Sequence, residues 1–505
     1  MLAPVDKFLN HTTMYRLVLY YVSALLLAAF GLGFFKLVPH DPAALAFSTV
    51  FITLACWLTN KVIAAVLNIP ANTESIYITA FIVALIMPPI MPTNVAGLGG
   101  LAVASFVAIA SKFALAVYRK HVFNPVAIGV VASSFILDQP ATWWVGGNLQ
   151  MLPLVVVGGL LILRKVQRFE MFGVYMLVNL AVTIFSTTPD MYVEAFTQSL
   201  IYSPLFFAGF AMLTEPLTAP AALLPSLGFG AIVGALSSPA IHFGDFYFTP
   251  ELAFLVGNVY AWFVSPKFRF KLTLERIEKK AQGCYDYVFS SNRPVVFEAG
   301  QYLDWTMGVR SPDNRGNRRS FTIASAPSED RIRLGVKFYP GPSAYKQTML
   351  SMKPGHVIYG SQLAGEFTLP KDRDEKLAFL AGGIGVTPFR SMIQHMVLTG
   401  DVRDAVLFYG NNKADEIAYA DVLDRAEREI GLRTIYAVAK DAPQASNMHH
   451  GFIDANLITS TLPDYKERTF YISGPRVMVT RFEKVLKELG VGHKRIKTDF
   501  FPGFA

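Results

Sequence analysis

Residues 379–392 read FLAGGIGVTPFRSM. Three glycines, Gly382, Gly383 and Gly385, follow an apolar run and lead into Thr387 and Pro388. Lacking a Cβ, glycines let the backbone approach a pyrophosphate, and the N–H groups at a helix start favour its negative charge. Proline suits the first helical position because its missing donor would be unpaired there anyway. A second apolar run, YISGP at 471–475, ends in Ser473, Gly474 and Pro475. Two such loops at the carboxyl ends of parallel strands form the edge where α/β sheets bind ligands. Other redox chemistry is poorly provided for. The 2 cysteines, Cys56 and Cys284, are too few for an iron–sulfur cluster, which takes about four thiolates or a Cys/His mixture. His11, His40, His121 and His242 fall at the ends of apolar runs or between them, so none is placed for a haem relay. No metal site and no nucleic-acid motif is expected.

Positioning these loops requires a particular set of elements. From about residue 375 apolar strands alternate with helical stretches: KLAFLAGG then VTPFRSMIQHMVL, DAVLFYGN then YADVLDRAERE, RTFYISGP then RVMVTRFEKVLKELG. That alternation predicts a doubly wound, Rossmann-like α/β domain over 371–505. Upstream, short runs such as CYDYVFSS, AGQYLDWTM and IRLGVKFY are separated by Gly, Pro and Asn turns. They predict a small antiparallel β-barrel over 266–370.

Together these two segments resemble the ferredoxin-NADP reductase family over essentially all of 267–505. The segment RSFT matches that family's flavin motif. The resemblance implies FAD, with Arg319 pairing with its phosphate, Ser320 beside it, Phe321 packing on the ring and Thr322 bonding near the reactive nitrogen. The residue types suit those roles: a guanidinium matches phosphate, an aromatic stacks on a flat ring and a hydroxyl tunes a ring nitrogen. The segment GVKFYPGPSAY is similar to the one carrying the ring edge and pyrophosphate, which implies Lys337, Ser343 and Tyr345. YGNN and SGPRVM match the nicotinamide nucleotide strands, implying Tyr409, Asn411, Gly474 and Pro475, with Ser473 where the family often has cysteine beside the nicotinamide. Thr322 and Ser473 are thus the expected catalytic pair. The end, KTDFFPGFA, resembles an acidic–aromatic terminus in which Phe504 or Phe500 shields the ring. Lys413 suits the 2′-phosphate of NADPH, whereas Asp415 and Glu416 favour NADH.

The first half has a different character. Residues 1–265 hold 10 Lys+Arg and 10 Asp+Glu, while residues 266–505 hold 35 and 27, so the whole net charge of +8 lies in the second half. Apolar runs of spanning length recur about ten times before residue 265, which predicts a polytopic α-helical membrane domain over 1–265. No cleavable signal peptide is expected. The basic groups Arg119–His121, Arg164–Arg168 and Lys267–Lys271 fall on one face of a ten-span topology, which puts both termini in the cytoplasm, at a bacterial inner membrane. TAFIVALIMPPIMP and FAGFAMLTEPLTAP echo each other five spans apart, so the related halves form an inverted repeat with broken helices at matching places.

KHVFNPVAIG and FAMLTEPLTAP resemble signatures of the NqrB/RnfD family, membrane subunits of the sodium-pumping NADH:quinone reductase and Rnf complexes. That resemblance implies a ten-helix inverted-repeat fold and FMN, often attached through a threonine on the outer face. The corresponding loop here is DQPATWWVGGN, residues 138–148. It keeps Asp138 and Thr142 but lacks the Ser-Gly spacing, so a non-covalent FMN is expected, with Trp143 and Trp144 as interfacial anchors. Asn124 and Glu215 are further cofactor-site candidates: Asn124 follows a basic cluster at a helix start, and Glu215 is an acidic group at a membrane helix break.

The two halves predict a single-chain transmembrane oxidoreductase. Electrons from cytoplasmic NAD(P)H would pass through FAD to a membrane-held flavin and on to a quinone or an outer-face acceptor. The alternatives are a transporter-like membrane domain regulated by a flavin- and NAD(P)H-sensing domain, and a flavin reductase whose helices serve only as an anchor.

Overall fold

The computed structural model describes residues 3–67, 73–117, 120–265, 269–309, 313, 316–441 and 445–499. Phe500 and Phe504 lie outside these residues, as do Arg119 and Lys267. The chain divides into two compact units, Met1–Lys267 and Phe268–Ala505.

The N-terminal unit is helical. Its helices are α1 (Ala3–His11), α2 (Met14–Phe34), α3 (Pro42–Leu67), α4 (Thr73–Ile86), α5 (Val95–Ala114), α6 (Pro125–Leu137), α7 (Leu152–Val166), α8 (Phe169–Phe185), α9 (Tyr192–Ile201), α10 (Leu205–Ala211), α11 (Leu223–Leu236) and α12 (Pro250–Val264). Among the described residues three helices, α2, α3 and α5, are long and apolar enough to cross a membrane, and five shorter apolar helices accompany them. Ten spans of full length are therefore not seen. Proline is one physical reason. Pro88 and Pro89 follow the end of α4, and Pro204 and Pro216 bracket the short α10. A proline supplies no backbone donor, and its ring clashes with a preceding helical turn.

Helix pairing repeats between the halves of this unit. α2 packs on α4 as α7 packs on α10, α3 packs on α5 as α8 packs on α11, and α5 packs on α6 as α11 packs on α12. The first helices of the two sets touch each other, α2 on α7, and so do the last, α6 on α12. Tyr21 of α2 fixes the first of these contacts by donating its buried hydroxyl to Val155 O of α7 at 3.1 Å. Small residues permit the closest packing: a Cβ at Gly129 of α6 would sit 2.4 Å from Ala104 O of α5.

The C-terminal unit begins with six antiparallel strands: β1 (Phe270–Ala281), β2 (Cys284–Ser291), β3 (Tyr302–Thr306), β4 (Arg318–Thr322), β5 (Ile332–Lys337) and β6 (Val357–Ala364). They form one curled sheet in the order β4-β3-β6-β1-β2-β5. The expected barrel is closed by irregular bonding between its edges, with Ala324 N, just past β4, donating to Arg333 O of β5 at 2.9 Å. Its core holds Leu272, Tyr287, Phe289, Trp305, Leu334 and Tyr345. Helix α13 (Ala344–Leu350) lies between β5 and β6 in sequence.

A parallel sheet follows: β7 (Leu377–Gly382), β8 (Ala405–Asn411), β9 (Arg433–Val438), β10 (Met448–His450), β11 (Thr469–Ser473) and β12 (Ile496–Asp499). Helices α14 (Thr387–Thr399), α15 (Ala420–Ile430), α16 (Ala455–Thr461) and α17 (Arg476–Glu488) connect its strands. The order β10-β9-β8-β7-β11-β12 reverses direction at β7, whose neighbours are β8 and β11. The carboxyl ends of β7 and β11 therefore lie side by side at the switch point where such sheets take ligands.

Candidate functional site

At that switch point the two glycine loops are in contact. Residues Gly383–Val386 form a 3₁₀ turn between β7 and α14, with Gly383 at φ +52. A Cβ at Gly385 would fall 2.5 Å from Gly474 Cα and 2.5 Å from Ser473 O, and one at Gly382 would fall 2.2 Å from Met478 Sδ. Glycine is thus required by the approach of the loops, whatever else they bind. Thr387 closes the turn by donating its hydroxyl to Ile384 O at 3.1 Å, and Pro388 takes the first-turn position of α14.

A cleft of about 330 Å³ opens at the ends of β7, β8, β9 and β11. Gly382, Gly383, Asn411 and Pro475 line it, together with Lys337, Glu416 and Arg481. Asn411 is buried beside the Tyr409 hydroxyl, and its amide nitrogen and oxygen make no hydrogen bond of ordinary geometry among the described residues. A buried polar group without a partner is uncommon and expensive. A glycine turn at a helix start, beside an amide with spare hydrogen-bonding capacity, fits a dinucleotide. Glu416 is committed to Lys337 at 2.8 Å. Burial is the largest single influence on Lys337 and opposes its charge, but Glu416, Tyr339 and Cys284 together outweigh it and raise its pKa. Lys413 and Asp415 are exposed beside this pair.

The flavin-motif residues lie at the end of the curled sheet. Arg319 is 4% exposed, donates to Gly316 O and Arg318 O, and holds its guanidinium 5.0 Å over the Tyr345 ring. Ser320 donates to Asp304 Oδ1 at 2.5 Å, and the Phe321 ring lies 6.2 Å from that of Tyr345. A buried cation between an aromatic floor and the sheet rim fits a phosphate-bearing ring cofactor.

Three expected site residues are placed as supports. Tyr345 is fully buried and donates its hydroxyl to Trp305 O, so it lies under Arg319 within the sheet core. Tyr409 is also fully buried, with its hydroxyl accepting from Ala418 N at 3.2 Å. Ser343 caps α13, accepting from Lys346 N at 3.3 Å.

One residue went unnoticed in the sequence. Asp499, at the end of β12, brings its Oδ2 within 3.5 Å of Thr322 Oγ1 and 3.4 Å of Ser473 Oγ. Loss of solvent pushes its carboxyl up to about 7, and bonds from the Ser473 and Thr322 hydroxyls only partly offset that. The two expected catalytic hydroxyls are thus joined through a carboxyl that can hold a proton near neutrality. The signal available was an acidic residue in a segment resembling the family's terminus.

The N-terminal candidates form two separate clusters. In one, Asn124 caps α6 by accepting from Val126 N and Ala127 N, and its backbone N–H donates to Asn258 Oδ1 at 2.7 Å. Its amide nitrogen donates to Glu215 Oε2 at 3.4 Å. With a carboxylate beside it, this helix start does not fit an anionic phosphate. In the other, the 138–148 loop packs on the end of α4. The Thr142 and Trp143 N–H groups both donate to Ile86 O at 2.9 Å, and the Thr142 hydroxyl reaches the same oxygen at 3.3 Å. Trp144 Nε1 donates to Ala84 O at 3.2 Å and Met87 O at 3.1 Å, and Trp143 Nε1 donates to Glu251 Oε2 at 2.8 Å. Trp143 and Trp144 are 5% and 7% exposed. They are internal plugs of a broken helix, which corrects the expectation of interfacial anchors. The motif reading missed this because an indole N–H satisfies a buried carbonyl as readily as it meets an interface.

Comparison with known proteins agrees with the C-terminal geometry. Residues 379–484 match the model of the oxidoreductase NAD-binding domain. The phenol hydroxylase P5 protein of Acinetobacter pittii is 28% identical over 217 residues, 42% of this chain and 59% of that protein. A flavohemoprotein of Xylella fastidiosa is 28% identical over 214 residues, 41% of this chain and 52% of its own length. The chain thus spans little more than half of these relatives. Among solved structures, the Amycolatopsis cytochrome P450 reductase GcoB is 20% identical with a TM-score of 0.42, covering 46% of this chain and 69% of that one. The flavohem-like FAD/NAD binding domain of nitric oxide dioxygenase from Vibrio cholerae is 17% identical with a TM-score of 0.41, covering 46% and 98%. Residues 379–484 of the C-terminal unit thus match an oxidoreductase NAD-binding domain, and the unit is similar to these oxidoreductases.

Proposed function

We propose that the chain carries electrons from NAD(P)H through FAD in the C-terminal unit to an acceptor served by a membrane-embedded N-terminal unit. The acceptor is a quinone or a molecule on the outer face, and both termini face the cytoplasm. The observation that carries the reading is the meeting of Thr322, Ser473 and Asp499, which joins the flavin-motif strand, the nucleotide strand and the last strand within 3.5 Å. When bound, FAD accepts a hydride from the nicotinamide and hands the electrons on.

The residues do the positioning. Arg319 neutralises the cofactor phosphate, Phe321 packs against its ring, and Gly382, Gly383 and Gly385 admit the nucleotide pyrophosphate at the start of α14. Asn411 bonds the nucleotide within the cleft. The Asp499 carboxyl holds a proton below about pH 7, within reach of both expected catalytic hydroxyls.

The apolar, charge-poor first half and its paired helix sets support a bilayer role. A hydrocarbon core of about 30 Å needs a relay. The resemblance of that half implies a non-covalent FMN, with Asn124 and Glu215 as its candidate contacts. Acid extraction of flavins from the purified full-length protein tests the reading. One FAD per chain together with FMN is expected; FAD alone would remove the flavin relay, and no FAD would overturn the whole proposal.

A further inference from the structure

Helix α14 starts directly after the glycine turn and one turn later carries Arg390 and Ser391, which both reach the flavin lobe. Arg390 Nη2 donates to Glu329 Oε1 at 3.0 Å, while its Nη1 pairs with Oε2 of the same carboxylate and donates to Ala324 O at 2.9 Å. Ser391 Oγ donates to Ser325 O at 2.6 Å. Ala324, Ser325 and Glu329 lie on the segment that leaves β4 just after Thr322. Glu329 is itself held, with Oε2 accepting from Ala326 N at 2.6 Å and Oε1 lying 3.3 Å from Arg333 Nε. The Arg390 and Glu329 side chains are 6% and 17% exposed, so solvent screens the pair little. One helix therefore grips the flavin strand at its first turn while its start forms the nucleotide loop.

We infer that Arg390, assisted by Ser391, is a positioning residue that registers the nucleotide turn against the flavin strand. A planar guanidinium bonded twice to one carboxylate fixes orientation as well as distance. A buried pair of this kind is weak evidence of a role in stability, because desolvation opposes it. The lobes also have other ties. Tyr419 donates its hydroxyl to Asp286, and Lys337 pairs with Glu416 at 2.8 Å. The Arg390 guanidinium also stands 5.9 Å over the Tyr419 ring, so the Lys337–Glu416 pair is the tie that loosening Arg390 leaves untouched, and the expected change is in register, with the fold retained. Misplacement of reacting groups by about 1 Å costs on the order of 100-fold in rate.

The inference rests on the proposed hydride route. The test compares Arg390→Lys and Ser391→Ala with the parent full-length protein. Lysine keeps the charge but loses the fork. Hydrogen exchange in the absence of nucleotide should rise together in residues 319–329 and 382–391 of Arg390→Lys, with β9 and α17 unchanged. In stopped flow, flavin reduction by NADH should slow about 10-fold or more in Arg390→Lys and about 3-fold in Ser391→Ala. FAD content and nucleotide affinity should stay within about 2-fold, and the long-wavelength nicotinamide–flavin absorbance should weaken. Rates within 2-fold of the parent in both variants, or a rate loss that only tracks lost FAD, would overturn the inference. If Arg390→Lys does not fold, Ser391→Ala decides by the same criteria. A parent protein that binds FAD but is not reduced by NADH or NADPH would instead fail the functional reading itself.

Discussion

The glycine turn after β7 and the helix break after α4 pose one problem: backbone and nearby polar groups that regular structure leaves without partners. The two units answer it in opposite ways. At the break the protein supplies the partners itself. Ile86 O takes the Thr142 and Trp143 N–H groups, Ala84 O and Met87 O take the Trp144 indole, and Ile90 N–H donates to Ser48 Oγ at 2.8 Å. At the turn Gly382 and Gly383 line a cleft in which the Asn411 amide makes no hydrogen bond of ordinary geometry among the described residues. An irregular backbone is therefore not in itself a ligand site. What distinguishes the turn is that its polar surroundings keep spare hydrogen-bonding capacity while Gly382 and Gly385 have no room for a Cβ.

The sharpest way to break this contrast is Gly385→Val. Its side chain would collide with Gly474 and Ser473, so nucleotide-driven flavin reduction should fall at least about 100-fold, since catalysis depends on geometry held to within about 1 Å. FAD content should persist, and rapid-mixing absorbance with flavin extraction reads both. Trp144→Ala should open the other end of the comparison, costing about 3–5 kcal/mol of stability. Thermal unfolding in detergent measures that loss, and flavin reduction by nucleotide in the folded fraction should be unchanged.

Asn411→Ala should weaken nucleotide binding about 10-fold, the worth of one or two hydrogen bonds to a ligand, as read by equilibrium titration. A further effect concerns pH. The Asp499 carboxyl is raised from its ordinary 3.8 to about 7, so the folded chain keeps a proton that the unfolded chain releases. The stability from this group is full at acid pH and is lost as pH rises from about 4 through 7. Asp499→Asn should remove that slope, so denaturant midpoints of variant and parent should diverge in the variant's favour toward neutral pH.

These contrasts also show what the sequence made legible. Glycine spacing at the end of a buried apolar run marked the turn between β7 and α14, because Gly382 and Gly385 have no room for a Cβ. Charge partition located the change from helical unit to reductase unit. Tyr409 was harder: strands of a parallel sheet are covered on both faces, so alternation does not tell a core side chain from one at the ligand edge. Asp499 escaped because its partners are far away in the chain, Thr322 lying 177 residues off. The Arg390–Glu329 fork spans 61 residues and joins two lobes whose docking no local pattern encodes. Apolar length suggested ten spans, yet prolines cut two of those runs short.

The central claim is tested most directly by anaerobic addition of NADH, and separately NADPH, to the purified full-length protein while flavin absorbance is followed. The account predicts that bound FAD is bleached by about one equivalent of one of the two nucleotides, since the hydride carries both electrons. FAD that stays oxidised with both nucleotides would contradict it.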